Sequence, residues 1–105
     1  MKVLIPTAGV GSRLGSLTDH FNKAMIPLGK RPVISHIIDS YPTNTEFVIA
    51  LGYHGYYLRQ YLDLAYPAIS KRYVVIDKYE GAGSGLGYTL KKCLKYIDEE
   101  FVFHA

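Results

Sequence analysis

The sequence predicts an α/β domain built on a largely parallel sheet. Short apolar runs, which are typical of buried strands, alternate with longer segments that have helical periodicity. Four strands are expected to start near residues 3, 47, 73 and 101, with one helix in each interval. Such a chain connects its strands by right-handed crossovers. Ligands of parallel sheets bind beyond the carboxyl ends of the strands, so a functional site is expected in the loops that follow strands.

The first half of the chain supplies two strands and one helix. The strands are the apolar runs at 3–6 and 47–51, each of which ends in turn residues. Pro32 suits the first turn of a helix. We expect that helix to continue to Ser40, because apolar residues recur there at helical spacing: Val33, Ile34, Ile37 and Ile38. The turn residues at 41–44 then end it.

The second half repeats this alternation. A helix at 56–66 is predicted because one of its faces is apolar, and that face consists of Tyr57, Leu58, Tyr61, Leu62 and Ala65. The third strand is expected at 73–76, and Ser84 is placed to cap the third helix. On that helix one face carries Leu86, Leu90, Cys93, Leu94 and Ile97. Residues 101–103 open the fourth strand, after which we expect the domain to be truncated.

Positive charge is concentrated in the long loop at 8–30 and its flanks. Residues 1–31 hold five Lys or Arg and one acid, whereas the remainder holds seven and eight. Glycine lets backbone N–H groups approach an anion, and this segment contains Gly9, Gly11, Gly15 and Gly29. A local basic excess beside glycines indicates a small phosphorylated ligand. Nucleic-acid binding would give a longer basic stripe, so we expect no nucleic-acid partner.

Composition narrows the remaining classes. A length of 105 residues fits one domain, and no apolar run approaches the roughly 20 residues that span a bilayer. The opening residues do not resemble a secretory signal. A single cysteine, Cys93, excludes an internal disulfide, and we expect it to be an inert buried thiol. The four histidines lack metal-ligand spacing. We therefore expect a cytoplasmic protein with no membrane partner.

Two common phosphate-binding motifs do not fit the loop at 8–30. The dinucleotide fingerprint G-x-G-x-x-G fails because Leu14 occupies the third glycine position. The Walker motif requires Ser or Thr after a Gly-Lys pair, but Arg31 follows Gly29 and Lys30. A different series is present: A-G-V-G-S-R-L at 8–14, L-T at 17–18, K-A-M-I-P-L at 23–28 and K-R-P at 30–32.

This series resembles the N-terminal signature of the sugar-phosphate nucleotidyltransferase family. Ser16 departs from the pattern, because the family usually carries proline before the L-T pair. The resemblance implies a Rossmann-like three-layer sandwich of the nucleotide-diphospho-sugar transferase type. It also implies a reaction in which a sugar phosphate or similar small phosphate attacks the α-phosphate of a nucleoside triphosphate and releases pyrophosphate.

Charge neutralisation and in-line positioning carry such a reaction. The implied catalytic residues are Arg13, whose planar guanidinium can hold two phosphate oxygens, and Lys23. Lys30 is a weaker candidate. The implied nucleotide-binding residues are Ala8, Gly9, Gly11, Ser12, Lys78, Glu80, Gly83 and Ser84.

The loop at 77–85 corresponds to the family's base-recognition segment, in which a polar residue precedes a Gly-Thr or Gly-Ser pair. Aligning that pair with Gly83 and Ser84 places Lys78 at the base-reading position, whereas a shift of two residues places Glu80 there. The family often has glutamine at this position, so the identity of the base stays open.

The resemblance assigns residues 1–105 to the N-terminal nucleotide-binding part of a nucleotidyltransferase domain. It implies a requirement for Mg²⁺, with the metal ligand expected beyond Ala105, so we expect the 105-residue chain alone to be inactive. An alternative is a non-catalytic nucleotide-binding regulatory subunit with the same fold. A third, weaker alternative is a nucleic-acid-binding module.

Overall fold

Four parallel strands form the central sheet of this chain. The computed structural model describes residues 2–7, 22–52, 54–77, 86–96 and 101–103. In chain order its strands and helices are β1 (Lys2–Pro6), β2 (Pro27–Leu28), β3 (Arg31–Pro32), α1 (Val33–Asp39), β4 (Glu46–Leu51), α2 (Gly55–Ala65), β5 (Ser70–Val75), α3 (Leu86–Cys93) and β6 (Phe101–Phe103). The main sheet has the order β5-β4-β1-β6, and every neighbouring pair in it is parallel. The predicted α/β fold with a mainly parallel sheet is confirmed.

The helices cover the two faces of the sheet and give the predicted three layers. On one face α1 and α2 pack against alternate strand residues, and the largest buried side chains there are Phe47, Ile34, Ile49, Leu58 and Leu62. On the other face α3 contributes Cys93 to a second cluster with Leu4, Val48, Ala50, Val74 and Ile76. The two faces alternate along β1 and β4 because successive side chains of a strand point to opposite sides. No helix within the described ranges is long and apolar enough to cross a membrane.

Helix α2 buries a narrower face than the sequence predicts. Leu58 and Leu62 are fully buried and Tyr61 is half-buried, but Tyr57 is 63% exposed and Ala65 is also exposed. The buried positions Gly55, Leu58 and Leu62 follow a spacing of three and then four residues. A short helix that lies against a sheet buries one stripe, and Tyr57 is turned about 100° away from Leu58 around the helix axis.

Helix α3 is shorter than the sequence predicts. It ends at Cys93, and residues Leu94–Tyr96 continue as a 3₁₀ helix. Thr89 and Cys93 are buried on one side of α3, and Leu94 is turned about 100° away from Cys93 around the helix axis. Leu94, which was expected on the buried face, is 57% exposed. Cys93 is buried as expected, and its burial raises the pKa of the thiol.

The segment expected to be an irregular loop up to Lys30 contains regular structure. A 3₁₀ helix occupies Lys23–Met25, and β2 and β3 form an antiparallel hairpin. The hairpin turns at Gly29, whose φ of +70° is in the left-handed region that favours glycine. His36 Nε2 lies 2.8 Å from Leu28 O, and Arg31 forms an ion pair with Asp39. Both contacts hold the hairpin against α1.

We expect Leu62→Ala to lower the free energy of unfolding by about 2–5 kcal/mol, because truncation of a fully buried leucine removes apolar contacts and leaves a cavity. Urea denaturation of the purified chain measures this loss. Leu64→Ala on the same helix is the matched control, because Leu64 is 81% exposed. The control should change the free energy by less than about 0.5 kcal/mol. Equal losses in the two variants would contradict the packing of α2 on the sheet.

Candidate functional site

The chain leaves the carboxyl edge of the sheet at the two places where ligand-binding loops are predicted. Pro6 is aligned with Ala50 in the β1–β4 pair, and Leu51 is aligned with Val75 in the β4–β5 pair. The strands therefore end side by side. Residues 8–21 follow β1 and residues 78–85 follow β5, so the predicted phosphate and base loops both start from this edge.

Most of the predicted site residues lie outside the described ranges. These are Arg13 of the catalytic pair and the nucleotide-binding residues Ala8, Gly9, Gly11, Ser12, Lys78, Glu80, Gly83 and Ser84. Lys23 and Lys30 are described, and the structure separates them. Lys23 begins the 3₁₀ helix beside the end of β1, whereas Lys30 is exposed at the turn of the β2–β3 hairpin.

Thr7 extends the pairing of β1 with β4 past the last strand residue. Its backbone N–H donates to Ala50 O at 3.1 Å, and its hydroxyl donates to the same carbonyl at 2.6 Å. The side chain is buried, with 2% of the residue exposed. Both donors therefore fix the point at which the chain leaves the sheet and enters residues 8–21.

Asn22 fixes the point at which the chain returns. It is 1% exposed, and its Nδ2 donates to Thr7 O at 2.6 Å. Its Oδ1 accepts from the backbone N–H of Ala24 at 2.9 Å, which caps the 3₁₀ helix. Residues 8–21 therefore begin and end at one hydrogen-bonded junction on the carboxyl edge.

Lys23 stands next to this junction and lines a cleft of about 310 Å³. The other described residues that line the cleft are Ile5, Pro6, Thr7, Ala24, Ile26, Val33 and Ile37, and none of them carries a charge. A lysine whose ammonium group enters such a cleft would attract an anion more strongly than one in open solvent, because the local dielectric constant is lower. Arg31 is the nearby contrast, because its guanidinium is paired with Asp39.

The acidic residue Asp77 lies two residues beyond the end of β5, at the same edge of the sheet. Its Oδ1 accepts a hydrogen bond of 2.5 Å from the hydroxyl of Tyr88, and this bond raises the pKa of the Tyr88 phenol. No group of three His, Cys, Asp or Glu that could hold a metal ion occurs among the residues that the structure describes.

Sequence reasoning missed Thr7 and Asn22 as parts of the site. A local signal exists for Asn22, because asparagine is favoured at the position that caps a helix, here directly before Lys23. The bond from Asn22 to Thr7 joins residues 15 positions apart, and the bond from Thr7 to Ala50 joins residues 43 positions apart. Neither partner follows from local spacing.

Several curated proteins and solved structures are similar to this chain. Glucose-1-phosphate cytidylyltransferase of Salmonella typhimurium is 29% identical, in an alignment that covers 98% of this chain and 49% of that protein. UTP--glucose-1-phosphate uridylyltransferase AglF of Haloferax volcanii is 26% identical over 97% of this chain and 41% of that protein. The chain thus spans about half the length of these relatives or slightly less. No model of a known protein family matches it.

The solved structure of UDP-glucose pyrophosphorylase complexed with UDP-glucose shares this fold. Its TM-score is 0.73 at 24% sequence identity, over 97% of this chain and 43% of that chain. This similarity confirms the predicted fold type, a Rossmann-like three-layer sandwich with a mainly parallel sheet.

We expect Thr7→Val to lower the free energy of unfolding by about 1 kcal/mol, because it removes a buried hydroxyl donor while Ala50 O keeps the Thr7 N–H. Thermal or urea denaturation measures the loss. Ser40→Ala is the matched control, since Ser40 Oγ also donates to a backbone carbonyl at 2.6 Å, that of Ile37, but is exposed. A smaller loss for Thr7→Val than for Ser40→Ala would contradict the role of Thr7 at the junction.

Proposed function

We propose that the protein carrying this chain transfers a nucleoside monophosphate from a nucleoside triphosphate to a sugar phosphate and releases pyrophosphate. The reason is that its homologues are sugar-phosphate nucleotidyltransferases. The observation that carries the proposal is the position of Lys23. This residue begins the 3₁₀ helix at the carboxyl edge of a parallel sheet, lines an apolar cleft and directly follows the junction that Thr7 and Asn22 form. Ligands of such sheets bind at this edge.

The reaction needs charge neutralisation and in-line placement rather than a nucleophilic side chain. A phosphate oxygen of the acceptor attacks the α-phosphorus and forms a new P–O bond there, while the bond from the α-phosphorus to the departing pyrophosphate breaks. In this proposal Lys23 compensates charge at the α-phosphate or at the incoming phosphate, and Arg13 holds the pyrophosphate through its planar guanidinium.

The remaining predicted residues are assigned to the nucleotide. Backbone N–H groups of residues 8–12, where glycines leave room for close approach, bind the phosphates. Either Lys78 or Glu80 reads the base. By their names, the two curated relatives transfer a cytidylyl or a uridylyl group, and both act on glucose 1-phosphate. A pyrimidine nucleoside triphosphate and glucose 1-phosphate are therefore the first substrates to test.

We propose that the whole protein requires Mg²⁺, with no metal ligand assigned among the described residues. We also propose that the protein is cytoplasmic. The 105-residue chain on its own is proposed to be inactive, because it spans about half the length of its relatives.

A screen of the natural protein with four nucleoside triphosphates and several sugar phosphates tests the function through pyrophosphate release. Triphosphate binding without release for any pair would favour a regulatory subunit instead.

We expect Lys23→Met to lower kcat/KM by about 100-fold in the natural protein, because it removes a charge that stabilises phosphate in the transition state. Coupled detection of pyrophosphate measures this rate. Lys91→Met is the matched control, because Lys91 is the same residue type but is exposed on α3 and has no assigned role in the site. The control should keep the wild-type rate within about threefold. An active enzyme whose Lys23→Met variant keeps its full rate would refute the assignment of Lys23.

A further inference from the structure

Both polar atoms of the Asn22 carboxamide form hydrogen bonds within the protein. The Nδ2 group donates to Thr7 O at 2.6 Å, and Oδ1 accepts from Ala24 N–H at 2.9 Å. Serine and aspartate can cap a helix, but neither also presents an amide N–H at this reach. The side chain is 1% exposed. Its polar groups therefore act within the protein, between the end of β1 and the start of the 3₁₀ helix.

Hydrogen bonds between the residues on either side of Lys23 fix the position of its backbone. The bond from Ala24 N–H to Asn22 Oδ1 spans Lys23, and Met25 N–H donates to Asn22 O at 2.9 Å across the same residue. Thr7 anchors the other end of the junction to β4 through Ala50 O. A lysine has four rotatable side-chain bonds, so the place where its ammonium acts depends first on where its backbone is fixed.

We infer that Asn22 is a positioning residue for nucleotidyl transfer, which acts through Lys23 by holding that residue at the carboxyl edge of the sheet. This inference rests on the proposed function. Loss of the bond from Nδ2 to Thr7 O removes a direct tie between the start of the 3₁₀ helix and the end of β1, so the backbone of Lys23 is held less firmly at the strand end. Effective catalysis depends on such preorganised charge.

A purely structural role for Asn22 makes a different prediction. A residue that only stabilises the fold changes the amount of folded protein, but it changes the activity of the folded molecules equally whether or not Lys23 is present. A positioning residue loses its effect once the residue that it positions is gone. A double-mutant cycle separates these two roles.

The experiment measures kcat/KM per folded molecule of the natural protein for the wild type, Asn22→Ser, Lys23→Met and the double variant. We expect Asn22→Ser to lower kcat/KM about tenfold in the wild-type background and less than about twofold in the Lys23→Met background. Equal reductions in both backgrounds overturn the inference. If Asn22→Ser does not fold, Asn22→Asp replaces it, because aspartate keeps the volume and the acceptor for Ala24 N–H but lacks the donor to Thr7 O.

Ser35→Ala is the control for the cycle. Ser35 is fully buried on α1, and its hydroxyl is 2.5 Å from the hydroxyl of Tyr61 on α2, so its loss also removes an internal side-chain hydrogen bond. Its effect should be the same with and without Lys23. A wild type that releases no pyrophosphate with any substrate pair overturns the proposed function and this inference together. An active wild type with an additive Asn22 cycle overturns this inference alone.

Discussion

The hydrogen-bonded junction of Asn22, Thr7 and Ala50 is the contact on which the carboxyl edge of the sheet depends. It joins the end of β1 to β4 and to the residue at which the chain returns after residues 8–21. Each buried hydrogen bond contributes about 1 kcal/mol, and an orphaned buried partner costs about 1–3 kcal/mol. Loss of Asn22 would leave Thr7 O and Ala24 N–H without these bonds. The junction thus couples the stability of the strand end to the placement of Lys23.

Further hydrogen bonds connect this junction to helix α1. The 3₁₀ helix leads into the β2–β3 hairpin, and Val33 N–H donates to Ile26 O at 3.0 Å where α1 begins. The ion pair of Arg31 with Asp39 ties the hairpin to α1 and offsets one of the cations that the sequence concentrates here. Lys23 instead lines a cleft whose other described lining residues are uncharged. The packing of the hairpin therefore separates a structural cation from a candidate catalytic one.

Periodicity and turn chemistry predict the order of the strands and helices, because these signals are local. They do not predict how wide a face each helix buries, because that depends on the surface against which the helix packs. Tyr57 and Leu94 are exposed although both were expected on the apolar faces of their helices. The β2–β3 hairpin was also missed, because its strands have two residues each and show no alternation. Spaced motifs singled out Lys23, but only the fold brings Asn22 to Thr7.

A crystal structure of the natural protein with a bound nucleoside triphosphate tests most directly whether this edge is the reaction site. The phosphates should lie beyond the carboxyl ends of β1 and β5. Lys23 Nζ should be within about 3 Å of a phosphate oxygen, as expected for a charge-assisted hydrogen bond. Asn22 should keep its bond to Thr7 O. Phosphates bound at the amino ends of the strands, or a Lys23 side chain directed away from them, would contradict this assignment.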